Sequence, residues 1–295
     1  MRQTLSKSAL LIAGPTASGK SALAMKLART RNGVIINADS MQVYRELRIL
    51  SARPSAEEEA LVPHRLYGHV GGEEDFSVAH WLADAILAIE TTWRQEKLPI
   101  VVGGTGLYFM ALEKGLSEVP PIAVEIREHW RSFKGDLHAE LLKRDTVMAA
   151  RLPAFDRQRI IRALEVIDST GVSLARWQEE GERNAFLNQI NVERHYVDVP
   201  REVLYGRAEQ RFDAMMAAGA LEEVAALPPL DPMKPVMKAI GVPELQAHLR
   251  GEISLAQAVT DAKTATRHYI KRQTTWWRGQ MKHWTTETNR SEITA

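Results

Sequence analysis

Cysteine is absent from this sequence of 295 residues, and no apolar run approaches the length that a membrane-spanning helix needs. The lack of cysteine excludes disulfides, thiolate nucleophiles and zinc sites built from cysteine, and it fits a reducing compartment. The early apolar run "ALLIAG" (9–14) is too short for a signal peptide and leads straight into a glycine-rich loop. We therefore expect a cytoplasmic protein that does not bind a membrane.

A strong net charge is also lacking, because 38 Lys and Arg residues stand against 37 Asp and Glu residues. The field of the whole molecule therefore says little about partners, and the local distribution of charge matters more. The nine histidines do not cluster at the spacings typical of metal ligands, so we interpret His64 and His69 as structural residues.

Three apolar segments alternate with helical ones in the first third of the chain. "ALLIAG", "GVIINADS" and "LPIVVGGTG" are predicted strands, and amphipathic helices are predicted between them. This alternation predicts a parallel α/β sheet flanked by helices. Each strand ends in a polar or glycine-rich turn, at 14–21, 39–42 and 103–108, and ligands of such sheets bind at that edge.

The pattern changes at about residue 116, after which amphipathic helices replace strand-like alternation until about residue 190. We therefore predict an inserted all-helical domain over 116–190. The segments 1–115 and 191–295 form the predicted core domain, which regains a strand at "NQINVERHYVDVP" and ends in a long basic helix.

Residues 14–21 follow the pattern G-x-x-x-x-G-K-[ST], between a predicted strand and a predicted helix. The loop consists of Gly14, Pro15, Thr16, Ala17, Ser18, Gly19, Lys20 and Ser21. Glycine lets the backbone approach phosphate, and the N–H groups of the helix N-terminus bind the anion. Lys20 adds a positive charge, and the Ser21 hydroxyl is placed to bind Mg²⁺.

Asp39 ends the second predicted strand, whereas "IVVGG" ends without the acid that a nucleoside triphosphatase needs for Mg²⁺. In small-molecule kinases an acid at this position faces the acceptor, so Asp39 is a candidate for handling a nucleophile. Asp-Ser before "MQVYREL" is also good chemistry for capping a helix. The residues alone leave both interpretations open.

Seven motifs in order resemble those of the tRNA dimethylallyltransferases, also called tRNA isopentenyltransferases, of the bacterial type. They are "GPTASGKS", "NADSMQVYREL", "PHRLYGHV", "GGTGLYF", "RQRIIRALEV", "AIG" (239–241) and "TRHYIKRQTTWWR". The resemblance covers nearly the whole chain, and the order of the motifs makes it highly specific.

The resemblance implies a P-loop NTPase-like sheet whose loop holds dimethylallyl diphosphate rather than ATP. The implied reaction transfers the dimethylallyl group to the exocyclic N6 amine of adenosine-37, next to the tRNA anticodon, and releases diphosphate. Mg²⁺ is the implied cofactor and the tRNA anticodon stem-loop the partner of a protein that we expect to be monomeric.

The resemblance also implies roles for individual residues. Asp39 matches the acid that accepts from the attacking amine, Thr105 matches a residue of the reaction channel, and Arg211 matches an arginine that reaches the diphosphate together with Lys20. The positions matching tRNA contacts are Asp39, Ser40, Met41, Gln42, Thr105, Arg127, Gln158, Arg159, Ile160, Ile161, Arg162, Lys238 and Gly241. The chain departs from the family at Val242-Pro243, where a tyrosine and a basic residue are usual, so we assign these two side chains no tRNA contact.

The C-terminal region supports RNA binding independently, because no acid occurs between Asp261 and Glu287 while six basic residues do. On a helix, Lys263, Arg267 and Lys271 share one face. We predict that Arg267 and Lys271 contact RNA phosphates, which makes binding depend on salt. A solvated surface helix is the plainer alternative.

Two other functions are compatible with parts of the sequence. A small-molecule or nucleoside kinase explains the loop, Asp39 and the arginine pair Arg207 and Arg211, but not the basic helix or the helical insertion. An RNA-binding module with a degenerate nucleotide site explains the basic helix, but not an intact Gly19-Lys20-Ser21 beside Asp39.

Overall fold

Six parallel strands form one sheet in the order β3-β2-β4-β1-β5-β6 in the computed structural model, which describes residues 7–183 and 185–288. The strands are β1 (Ser8–Ala13), β2 (Gly33–Asn37), β3 (His64–Arg65), β4 (Leu98–Gly103), β5 (Asn191–Asp198) and β6 (Thr285–Thr288). The predicted parallel sheet is therefore confirmed, and its four predicted strands are β1, β2, β4 and β5. β3 and β6 escaped prediction because one has two residues and the other is the polar sequence "TTET".

The central strands β1, β2 and β4 are buried along almost their whole length. This follows from their continuous apolar sequences, because a parallel sheet is covered by helices on both faces. Leu10 of β1 pairs with Ile100 of β4 on one side and with Glu193 of β5 on the other. The C-terminal ends of β1, β2, β4 and β5 consequently meet at one edge of the sheet.

Helices make up most of the remaining structure. They are α1 (Lys20–Thr30), α2 (Ala56–Leu61), α3 (Val78–Arg94), α4 (Gly106–Lys114), α5 (Val124–Ser132), α6 (Leu137–Arg144), α7 (Thr146–Arg151), α8 (Arg157–Thr170), α9 (Leu174–Arg183), α10 (Arg201–Ala217), α11 (Ala220–Ala225), α12 (Val242–Leu249) and α13 (Leu255–Gln280). α10 buries Leu204, Ala208, Phe212 and Met215, which recur at the spacing of one helix face. No helix in the described part of the chain is long and apolar enough to cross a membrane.

The segment after Asp39 is not helical, which contradicts the alternative interpretation in which Asp39 and Ser40 cap a helix over "MQVYREL". Residues 40–50 form turns, and their backbone bonds go to distant segments instead of within a helix. Tyr44 bridges to Val70, and the amides of Arg48, Ile49 and Leu50 all donate to the Glu223 carboxylate at 2.6–2.9 Å. A single carboxylate from α11 therefore satisfies three consecutive N–H groups that a helix would have left to capping.

The chain divides into two compact units, one comprising 1–109 with 190–295 and the other comprising 110–189. The predicted insertion started at 116, whereas the division falls within α4. The first unit contains the sheet, with a core that includes Leu10, Ile35, Ile100, Leu204 and Ile270.

The second unit is all helical and has a hydrophobic core of its own. Trp130, Leu141, Ile160 and Leu164 are its most buried large side chains, each 1% exposed or less. Asp168 accepts a hydrogen bond from Trp130 Nε1 at 3.0 Å, which fixes α5 against α8.

Candidate active site

The loop of residues 14–21 joins β1 to α1 at the C-terminal edge of the sheet. Gly14 is required there, because a Cβ at this position would lie 2.7 Å from Ser18 Oγ and 3.2 Å from the carbonyl oxygen of Val197. Gly19 caps α1 with a φ of 88°, and the first N–H groups of α1 lack partners within the helix. These N–H groups and the positive end of the helix make the loop a ready site for an anion.

A cavity of about 340 Å³ opens beside this loop. It is lined by Ala17, Ser18, Gly19, Lys20, Ser21, Arg207 and Arg211. The structure therefore brings the arginine pair of α10 to the phosphate loop. The buried Ser18 hydroxyl has no hydrogen-bond partner in the described part of the chain, which leaves the loop incompletely satisfied on its own.

Lys20 and Arg211 place two positive charges next to this cavity. Burial lowers the pKa of Lys20 to about 8; the charge of Asp39 opposes this shift and that of Arg211 adds to it. Burial also lowers the pKa of Arg211, again against the influence of Asp39. Neither side chain forms an ion pair with an acid among the described residues, although Arg211 donates to the Thr16 hydroxyl and Lys20 to the Pro15 carbonyl at 3.2 Å. Two partly buried cations that lack a carboxylate partner in the described part of the chain indicate a site for an anion.

Asp39 follows β2 and uses its two carboxylate oxygens differently. Oδ1 accepts from the amide of Met41 at 2.9 Å, a local turn rather than a helix cap, because no helix follows. Oδ2 lies 3.7 Å from the position of a Cβ built on Gly104 and has no hydrogen-bond partner in the described part of the chain. The helix-cap interpretation of Asp39 is therefore wrong, and one carboxylate oxygen remains available to a ligand.

Thr105 connects the ends of β4 and β2. Its Oγ1 accepts from the Ser40 amide at 2.9 Å and lies 3.3 Å from Ser40 Oγ. The two turns approach closely because Gly103 lacks a side chain, and a Cβ there would lie 2.0 Å from the carbonyl oxygen of Ala38. Thr105 and Asp39 consequently flank one point at the sheet edge.

Three site residues were not found from the sequence. Asn37 is buried and accepts from the Asp39 amide at 2.8 Å, while its Nδ2 donates to the carbonyls of Asp39 and Leu66. Gln273 and Tyr269 approach from α13, and burial raises the pKa of Tyr269, with the charge of Asp39 adding to the shift. A signal existed for Asn37 and Gln273, because each is a polar residue on an apolar strand or helix face.

The other candidates in the sheet-containing unit differ in exposure. Gln42 Nε2 donates to the carbonyls of Ser51 and Ala52, so its amide holds a turn. Ser40 and Met41 are partly exposed and Lys238 is exposed, whereas Gly241 is buried at the start of α12 with a φ of 97°.

The basic face of α13 meets acids from a neighbouring helix. Lys263 pairs with Asp213 of α10 at 2.6 Å, and Arg267 pairs with Glu209 of the same helix. Lys271 is exposed and pairs with no acid among the described residues. The absence of acids from α13 after Asp261 therefore did not mean that all the cations of this stretch are free of acidic partners.

The candidates in the helical unit lie on α5 and α8. Arg127, Gln158, Arg159 and Arg162 are exposed. Arg159 lies 3.5 Å from Asp156, and Arg162 lies 3.7 Å from Glu165. Ile161 is partly buried, and Ile160 is 0% exposed in the core of the unit, so its side chain is not presented at the surface.

Metal ligands are sparse in this structure. The described residues contain no group of three or more His, Asp or Glu side chains that could hold a metal ion. The hydroxyls of Ser18 and Ser21 are hard oxygen donors of the kind Mg²⁺ accepts, and Mg²⁺ commonly completes its coordination with phosphate oxygens and water. The loop therefore fits an ion that arrives with a phosphate ligand.

A sequence model described as IPP transferase matches residues 42–280. The chain belongs to the IPP transferase family. One relative, the tRNA dimethylallyltransferase of Azorhizobium caulinodans, is 52% identical to this chain over 291 residues, which cover 96% of this chain and 92% of the relative. That of Nitrobacter hamburgensis is 54% identical over 280 residues, covering 92% and 88%.

Solved structures agree with this membership. The tRNA isopentenylpyrophosphate transferase of Bacillus halodurans superposes with a TM-score of 0.68 at 32% identity, covering 96% of this chain and 90% of that one. A eukaryotic dimethylallyltransferase acting on tRNA gives a TM-score of 0.79 at 29% identity, covering 92% and 70%. This IPP transferase family member is accordingly a transferase enzyme with the P-loop-like fold of its neighbours, and these relatives give no support to a kinase or to a non-enzymatic RNA-binding module.

Proposed function

We propose that the chain transfers the dimethylallyl group of dimethylallyl diphosphate to the N6 amine of adenosine-37 in tRNA. The observation that carries this proposal is the pair of cations Lys20 and Arg211, without acidic partners among the described residues, at the phosphate loop, with Asp39 close enough to influence both pKa values. An anion fits the loop, and Asp39 Oδ2, which has no hydrogen-bond partner among the described residues, would face the acceptor. The names of the relatives support a dimethylallyl group as the group transferred and tRNA as its acceptor.

The diphosphate side of the reaction is served by positive charge. When the C1–O bond of the donor breaks, negative charge grows on the departing diphosphate. Lys20, Arg211 and the first N–H groups of α1 oppose that charge where it develops, which lowers the barrier more than equal binding of donor and transition state would. Mg²⁺ would be held by the diphosphate and the Ser21 hydroxyl and would supply further neutralisation of the leaving group.

The acceptor side needs a base. The N6 amine attacks C1 as the C1–O bond breaks, so the nitrogen gains a bond and must lose a proton. Asp39 Oδ2 can take that proton, which leaves N6-(dimethylallyl)adenosine, diphosphate and a protonated carboxyl. The adenine must leave its stack to reach Asp39 and Thr105, as for other enzymes that modify bases.

Both halves of this chemistry lie in the sheet-containing unit of a single chain, so we propose that the enzyme works as a monomer. Its tRNA substrate makes the cytoplasm the proposed location. We also propose that Arg127, Arg159, Arg162, Lys238 and Lys271, which are exposed, contribute to tRNA binding.

The decisive experiment measures transfer of a labelled dimethylallyl group to an unmodified tRNA transcript without ATP. Label should enter the tRNA, and a transcript with guanosine at position 37 should remain unlabelled. ATP in place of the allylic donor should yield no phosphorylated product. Phosphate transfer from ATP, or equal labelling of the guanosine transcript, would refute the proposal.

A further inference from the structure

Gln273 joins two loops that the sequence separates widely. Its Oε1 accepts from the Thr16 amide at 2.9 Å, and its Nε2 donates to the carbonyl oxygen of Gly104 at 2.9 Å. The side chain is 6% exposed. A backbone N–H can only donate and a carbonyl can only accept, so these two partners leave the amide a single orientation.

Each partner of Gln273 belongs to a different half of the site. Thr16 lies in the phosphate loop, and its hydroxyl also accepts from Arg211. Gly104 precedes Thr105, whose hydroxyl holds the amide of Ser40 beside Asp39. The same amide group thus bridges the loop for the leaving group and the turn for the acceptor.

The space around this bridge is tight. A Cβ on Gly104 would lie 2.4 Å from Gln273 Nε2 and 3.3 Å from the carbonyl oxygen of Gly14. The Gln273 and Thr105 side chains also reach the hydroxyl of Tyr269, one turn earlier on α13. The two loops therefore have little freedom to slide past each other while the amide is bonded at both ends.

We propose that Gln273 is a positioning residue that fixes the spacing between the diphosphate loop and the acceptor side of the active site. This inference rests on the proposed function. Gln273 touches neither reacting atom; it acts through Thr16 and Gly104. Transfer requires the donor carbon and the amine to approach within a narrow distance, so a small change in spacing affects the rate far more than the binding of either substrate.

The experiment compares two variants with a control on the same helix. Gln273→Leu removes both hydrogen bonds, and Gln273→Glu keeps an acceptor for Thr16 but removes the donor to Gly104. Thr274→Val is the control, because Thr274 is also buried and, among the described residues, its hydroxyl donates only within α13, to the carbonyls of Ile270 and Lys271. The measured quantities are the single-turnover rate of dimethylallyl transfer and the separate affinities for inorganic diphosphate and tRNA.

Gln273→Leu should lower the single-turnover rate by about 10²-fold, the effect of a misplacement of about 1 Å, while both affinities stay close to those of the parent protein. Thr274→Val should keep all three quantities. An equal loss of rate in Gln273→Leu and Thr274→Val would show that Gln273 is only a packing residue. A loss of diphosphate affinity large enough to explain the whole loss of rate in Gln273→Leu would show the same.

Gln273→Glu tests the same point through pH and remains informative if Gln273→Leu fails to fold. Burial raises the pKa of a carboxyl group, and the protonated carboxyl has both the acceptor and the donor of the amide. Its rate relative to the parent protein at the same pH should therefore rise between about pH 8 and about pH 6. If the ratio of the two rates does not change with pH, the proposed positioning role of Gln273 is wrong. Failure of the parent protein to transfer the allyl group would refute the proposed function and this inference together. Transfer at the parental rate by both Gln273→Leu and Gln273→Glu would refute the inference alone.

Discussion

Asp39 is the residue on which the proposed acceptor chemistry depends, because Oδ1 accepts from the Met41 amide and Oδ2 has no hydrogen-bond partner among the described residues. Asp39→Asn keeps the hydrogen bond to Met41 and loses the base. We expect kcat to fall by about 10²–10⁴-fold, the usual contribution of a general base, while affinities for inorganic diphosphate and tRNA change little. Single-turnover transfer across a Mg²⁺ series measures this. Recovery at high Mg²⁺ would reassign Asp39 to metal binding, and normal turnover would remove it from the reaction.

Lys20 makes donor capture dependent on pH. Its pKa of about 8 means that the ammonium is mostly charged at neutral pH and loses its proton as pH rises further. We expect kcat/KM for the donor to decline above about pH 8, and kcat to decline only at higher pH, since bound diphosphate raises the pKa of Lys20 again.

The control for this pH dependence is Lys20→Arg, which keeps its positive charge throughout the range. Its kcat/KM is expected to be lower but to lack the decline above about pH 8. A decline of the same shape in both proteins would assign the titration to another group.

Lys20 and Asp39 could be assigned roles from the sequence because each lies in a short local pattern. Lys20 belongs to a phosphate-binding loop, and Asp39 is an acid at the end of a buried strand. Gln273 could not be assigned a role in the same way. Its two partners are 257 and 169 positions away, so its function exists only once α13 has packed against the sheet edge.

At the scale of elements, α13 shows how a neighbouring helix changes the meaning of a charge pattern. The acid-free run between Asp261 and Glu287 favoured RNA binding, yet α10 supplies Asp213 and Glu209 to two of its cations. The segment after Asp39 also depends on distant partners that the local sequence does not reveal. It forms long-range bonds with the Val70 segment and Glu223 instead of a helix.

Of the three cations on this face of α13, Lys263, Arg267 and Lys271, we therefore expect Lys271 to contribute most to tRNA binding. We predict that Lys271→Glu weakens tRNA binding and reduces the slope of log affinity against log salt by about one, the effect of losing one phosphate contact. Lys263→Ala is the control. It should change the slope less, because Lys263 already pairs with Asp213. Affinity for inorganic diphosphate should be the same in both variants. Unchanged tRNA binding by Lys271→Glu at low salt would make this helix face merely solvated.

At the scale of the whole molecule, the two units have separate cores and are expected to support different binding steps. Leu164 is 0% exposed in the core of the helical unit, and Leu204 is 0% exposed in the sheet-containing unit, on the helix that carries Arg211. Replacing either by alanine should cost about 2–5 kcal/mol of stability.

We expect Leu164→Ala to weaken tRNA binding and leave inorganic diphosphate binding intact, and Leu204→Ala to weaken diphosphate binding. Calorimetric titration of each ligand, together with thermal unfolding, measures both effects. An equal loss of diphosphate affinity in the two variants would show that the units do not divide the binding in this way.

The strand order has a consequence for biosynthesis. β1 is a central strand of the finished sheet, paired with β4 on one side and β5 on the other, but about ninety residues separate the end of β4 from the start of β5. At typical rates of translation, roughly 5 to 20 s pass between the appearance of these two strands. During that interval the apolar segment "SALLIA" is an unprotected edge, open to pairing with another nascent chain. The helical unit emerges from the ribosome in the same interval. A slow step in the synthesis or folding of this unit therefore prolongs the exposure of β1, although the unit itself does not pair with β1.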